Sequence, residues 1–160
     1  MMVYVERRAG RIIGVYANLQ PGFADEGLAE DHPDVVAFRS PPPTTDDVVA
    51  ERERRMSVGF NHDFGDARGV HRIGTTDADL KGWDEVTTLA AALIVTGLGA
   101  STIVAVTDTG PVEISALEWQ EILIAAGAFR QPIWAASFAL QAMTPIPPDF
   151  SSDLYWPAID

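Results

Sequence analysis

His62, Asp63, Asp66 and His71 crowd one short stretch, GFNHDFGDARGVHRIGTTDAD, from Gly59 to Asp79. Imidazole and carboxylate groups are ligands for zinc or iron, and the same pairing can move protons. The spacing argues against a metal. His62 and Asp63 are neighbours, so on a strand they point to opposite faces and cannot share one ion. A turn that pairs Phe64 with Val70 sets Asp63 against His71 and His62 against Arg72, with the two histidines on different faces. A slip of one residue breaks this pairing without making a compact three-ligand cluster. The expectation is a cross-strand Asp63–His71 pair worth about 0.2–1 kcal/mol at an exposed surface.

Other candidates for chemistry read the same way. His32 precedes Pro33 in an acidic loop, with no fixed geometry for acid or base work. No Gly-x-Ser-x-Gly elbow is present, and no serine has an identifiable base and orienter. Asp108-Thr109-Gly110 shares its residues with aspartic proteases, but those need a second aspartate in a like setting to share a proton. The tripeptide reads as a hairpin turn. GLGAST, from Gly97, follows a helix where a phosphate-cradling loop would follow a strand, and so reads as a helix stop. The expectation is no catalytic, cofactor-binding or metal-binding residue, and no enzyme.

The elements that position these residues follow from periodicity and punctuation. VYVERRAGRIIGVYAN alternates about Arg8-Ala9-Gly10 and predicts strands near 3–7 and 11–17. DVVAF, from Asp34, predicts a third strand, and LQPGFADEGLAEDHPD a solvated loop before it. Such a sheet of about forty residues is near the size at which a unit needs support from outside its own core. SPPPTT is a stiff extended linker, and Thr44 or Thr45 caps a following helix, DDVVAERERRM, whose Glu/Arg run reads as a solvated face.

From Gly59 two hairpin-then-helix units are expected. The first hairpin leads to a helix capped by Thr76, with Leu80, Trp83, Val86, Ala90, Leu93 and Ile94 as its core stripe and its end at Gly97 or Gly99. TIVAVTDTGPVEIS is the second hairpin, and Ser115 with Glu118 forms a capping box for the helix behind it. Trp119, Ile122, Leu123, Ala126 and Phe129 read as core, and Pro132 should kink or break that helix. The tail from Thr144 is proline-rich and irregular, anchored by Phe150, Tyr155 and Trp156. The fold class is α+β: a small N-terminal antiparallel β module over 1–40, a proline linker plus helix over 41–58, and an α+β domain over 59–160.

The chain has 160 residues and a net charge of −12, and Lys81 is its lone lysine. Seven basic and ten acidic side chains lie in 1–58, against four and thirteen in 59–160, dividing the charge −3 and −9. Phosphate neutralisation needs clustered Lys and Arg, so no nucleic acid is expected as a partner. Without cysteine there is no disulfide, thiolate nucleophile or cysteine-based metal site. No signal peptide is read at the N-terminus. The longest apolar stretch, around Leu89–Val95, is shorter than the roughly 20 residues a membrane span takes, so no membrane insertion is expected.

Three segments also carry a resemblance to a family. RIIGVYANLQPGFADEGLAEDHPDVVAF, ERERRMSVGFNHDFGDARGVHRIGTTDADLKGWDEVTTLA and DTGPVEISALEWQEILIAAGAFRQPIWAASFALQA resemble small proteins of phage and prophage tail modules, whose C-terminal part is an uncharacterised tail-fibre or tail-assembly domain. The similarity spans roughly residues 10–145. LYWP, near the C-terminus, is similar to the Trp-Pro finish of tail-fibre assembly chaperones. The resemblance implies no active site and no cofactor. It implies a non-enzymatic structural or adaptor protein of the tail fibre or distal tail, located in the virion, or in the host cytoplasm during assembly. The alternatives are an assembly chaperone that leaves before the virion is complete and, more distantly, a metal-dependent hydrolase acting on the host surface. Partners would be other tail proteins or a second copy of the chain, met through a sheet edge, the Pro132–Met143 segment and the aromatic tail. Trp134, Phe138, Phe150, Tyr155 and Trp156 are the candidate interface residues.

Overall fold

In the computed structural model, which describes residues 1–159, the chain forms two units that divide between Pro43 and Thr44. In the first, Ala9 and Gly10 both have positive φ and make the two-residue turn that joins β1 (Met2–Arg8) to β2 (Arg11–Tyr16). β3 (Glu26–Ala29) pairs with the other edge of β1, giving the antiparallel order β2-β1-β3. Val3 and Val5 bury one face of β1 against Val35 of α1 (Pro33–Arg39). Arg7 ties central β1 to β3 and α1, its guanidinium 2.7 Å from both Glu26 and Asp34.

DVVAF is a helix, and the third strand comes instead from EGLA, inside the segment read as loop. The β-branched valines lose to helix punctuation. His32 Nδ1 accepts from the Asp34 amide at 3.2 Å, Pro33 occupies the first turn, Asp34 sits at the positive end of the dipole and Arg39 at the negative end. His32 is therefore a helix cap, not a loose loop residue.

The second unit starts at Thr44, which caps α2 (Thr45–Met56) through a capping box with Asp47. This helix belongs to the packing of the second unit, where Val48 and Met56 enter a core with Ile133, Leu140, Ile146 and Trp156. Its Glu/Arg run is only partly a solvated face. Glu51 and Arg55 are buried and paired at 2.7 Å, and Arg55 Nη2 also donates to the Ser151 carbonyl and to Asp153, so the run anchors the C-terminal tail.

β4 (Phe60–Asp63) and β5 (Val70–Ile73) form the expected hairpin one residue out of the expected register. The Phe64 amide donates to the Gly69 carbonyl, so Phe64 faces Gly69 rather than Val70. Gly69 has φ +69°, which lets the turn end one residue earlier. His62 consequently faces His71 directly and Asp63 faces Val70. The histidines share a face, and the Asp63–His71 pair does not form.

Thr76 caps α3 (Asp77–Val95) through a capping box with Asp79. Its end is a Schellman motif, Leu98 donating to the Leu93 carbonyl and Gly97 to that of Ile94. β6 (Thr102–Thr107) and β7 (Gly110–Ser115) meet through Asp108-Thr109, and Ser115 opens α4 (Ala116–Gln141). Ile103, Ala105, Val112 and Ile114 bury one face of this hairpin against Ala90, Trp119, Ile122 and Ala126.

The expected break at Pro132 does not occur: α4 is helical on both sides of it. Residues of α4 enter both cores of the unit, and Pro132 and Ala128 are exposed, so the carbonyl that loses its partner faces solvent. Unbroken, α4 is the one helix among the described residues that is long and apolar enough to cross a bilayer. The stretch around Leu89–Val95, expected to be the longest apolar one, lies instead in α3. The fold class is α+β, as the sequence reading expected, and the hairpin-helix-hairpin-helix order holds.

Candidate functional site

The histidine cluster of the β4–β5 hairpin is tied into the fold. His71 Nδ1 lies 3.1 Å from Thr107 Oγ1 and 3.2 Å from Thr109 Oγ1. Thr107 spends its proton on the Gly110 carbonyl at 2.7 Å, so toward His71 it acts as acceptor. The Arg72 amide donates to Thr109 Oγ1 and the Asp108 amide to the Arg72 carbonyl. These bonds join β5 to the β6–β7 turn. Asp63 accepts from the Gly65 amide and Asp66 from Arg68, within the hairpin loop. Among the described residues no three His, Asp or Glu side chains gather to hold a metal ion.

The five aromatic candidates fall into two groups. Trp156 is 5% exposed, its indole N–H donates to the Phe150 carbonyl at 2.7 Å, and the Arg55 guanidinium lies 5.1 Å from its ring. Phe150 and Tyr155 are half-buried beside it, so the tail docks on its own unit. Trp134 is half-buried under Arg52, whose guanidinium lies 3.8 Å from the ring centroid. Phe138, 5.5 Å from Trp134, is 60% exposed and offers most of its ring to solvent.

An open sheet edge lies along β6. Pro111 has no N–H, so the mutually bonded pairs of this hairpin must be Ala105 with Val112 and Ile103 with Ile114. Val104 and Val106 then turn their backbone N–H and C=O groups away from β7, and among the described residues no backbone group of another element takes them up. Their side chains are 57% and 82% exposed. The opposite edge, on β7, is closed: Pro111 lacks its donor, and Arg68 Nη1 donates to the Glu113 carbonyl at 2.9 Å.

Beside the open edge runs a groove of about 500 Å³ between β6 and α3. Residues from both faces of β6 line it, Ile103 and Ala105 as well as Val104 and Val106, so it follows the strand's edge. Trp83, Val86 and Leu89 form its apolar wall on α3, and Trp83 meets Trp119 edge to face at 5.7 Å. Asp79 and Glu85 line it too, and none of its lining residues is basic. At one end two carboxylates converge: a methyl group on Gly74 would lie 2.5 Å from Asp79 Oδ2 and 2.8 Å from Asp108 Oδ1. No family model matches the chain, and no curated protein or solved structure matches it either.

Proposed function

We propose that the chain is a non-enzymatic bacteriophage tail protein, a structural or adaptor component of the tail-fibre or distal tail apparatus that works by protein–protein contact. The place in a tail rests on the sequence resemblance. The mode of action rests on one observation, the contrast between the two edges of the β6–β7 hairpin. Folded proteins blunt exposed strand edges with proline, charge or a covering segment, because an open edge is a template for another chain. Here β7 is blunted by Pro111 and Arg68, while β6 carries two exposed valines and unpaired backbone groups. Its partners on this reading are other tail or tail-fibre proteins, and its location is the virion, reached from the host cytoplasm during assembly.

Mass spectrometry of purified virions tests the reading. The chain should be recovered in fixed proportion to the other tail proteins. Its absence from finished particles would sink the structural role and leave that of an assembly chaperone, which uses the same edge transiently.

A further inference from the structure

We infer that the groove between β6 and α3 binds an extended, basic segment of a partner protein, which adds to the β6–β7 hairpin as a third strand. This deepens the contact role proposed above and rests on it. Thr102, Val104 and Val106 each direct one N–H and one C=O to the open edge, the main-chain ladder that strand addition requires. An added strand lies about 4.8 Å from β6, in the space that the groove leaves beside it. Its alternate side chains reach the apolar wall of Trp83, Val86 and Leu89.

Charge selects the occupant. Asp79 and Glu85 line the groove, Asp108 lies beside Gly74 at its end, and none of the three is in an ion pair among the described residues. Lysine or arginine on the incoming strand would neutralise them. A second copy of this chain would bring its own Asp79 and Glu85 to the same place, so its approach is opposed.

Gly82 points the same way. Glycine weakens a helix interior, and nothing lies within 4 Å of a Cβ built at Gly82, so no neighbour in the chain requires its small size. Gly82 lines the groove. The missing side chain leaves clearance where the incoming strand passes α3.

A display library of random dodecapeptides, panned against the full chain and counter-selected against Gly82→Leu, tests the inference. Gly82→Leu favours the helix and meets open space, so it should fold while filling the groove. Enriched peptides should combine apolar residues with Lys or Arg and perturb the amide resonances of Thr102–Thr107. Val104→Pro removes an N–H that β7 does not use and should weaken the synthesised peptides at least about tenfold, as should Gly82→Leu. Val95→Ser, a substitution on exposed surface outside the groove, should leave them bound. Circular dichroism of each variant separates lost binding from lost folding.

The inference is overturned if no peptide is enriched, if enriched peptides are acidic, or if they bind folded Val104→Pro and Gly82→Leu as they bind the parent. It is also overturned if light scattering shows a dimer that Val104→Pro dissociates, because the occupant is then a second copy. None of these results depends on whether the chain is found in virions, so the two readings fail separately.

Discussion

Glu118 shows how one side chain links elements far apart in sequence. Its carboxylate accepts from the Ser115 amide at 2.6 Å, closing the capping box of α4, and pairs with Arg68 of the β4–β5 loop. Arg68 first and Ser115 second hold its pKa down at about 2, from an ordinary value of 4.5. A depressed carboxylate stabilises the fold fully above its unfolded pKa, and the contribution is lost as pH falls toward the folded value. Glu118→Gln keeps a capping group but not the charge. It should cost about 1–2 kcal/mol near neutral pH. In urea unfolding, the gap between parent and variant should narrow as pH falls from 4.5 toward 2. A gap constant over that range would mean that the ion pair contributes nothing. The Ser115–Glu118 box was legible because it is local, but Arg68 was not, because it lies in another hairpin. The histidine faces failed for the opposite reason, since their register hung on a short loop in which Gly65 and Gly69 both take positive φ.

The elements were most legible where caps and periodicity agreed, as in α2, α3 and both C-terminal hairpins. They were least legible where local signals conflicted. In α1 the cap by His32 and the Pro33 start outweighed β-branched residues, and in α4 packing on both sides outweighed a proline. That second case makes a prediction. Pro132→Ala restores the missing donor to an already formed helix, so thermal melting should show a gain of about 1–3 kcal/mol. A loss would mean that proline geometry is required at that point. The β6 groove also left a signal in the sequence. A hairpin with one wet face should be polar at alternate positions, yet TIVAVT puts Val104 and Val106 outward while β7 puts Pro111 and Glu113 there. Gly82 inside a helix was the second sign. Neither became a site in the sequence, because only the structure shows that the two lie beside the same groove.

At the scale of the whole chain, the division after Pro43 predicts unequal independence. Residues 44–160 contain two buried clusters, one gathered around the hairpins and one closed by the C-terminal tail. Residues 1–43 bury Val3, Val5 and Val35, a small core for a unit of that size. Expressed alone, the 44–160 fragment should unfold cooperatively and keep its near-ultraviolet circular dichroism, whereas the 1–43 fragment should lack a cooperative transition. Cooperative unfolding of the short fragment, or its absence from the long one, would show that the division is misplaced. The sequence by itself determined the α+β class, the order of hairpins and helices, and most caps, because these depend on residues within a few positions of one another. Only the tertiary structure decided the histidine register, the continuity of α4, the docking of the aromatic tail and the groove beside β6. Each of those is set by a balance between a local preference and burial against residues distant in the chain, and the weight of that burial cannot be read until the partners are in place.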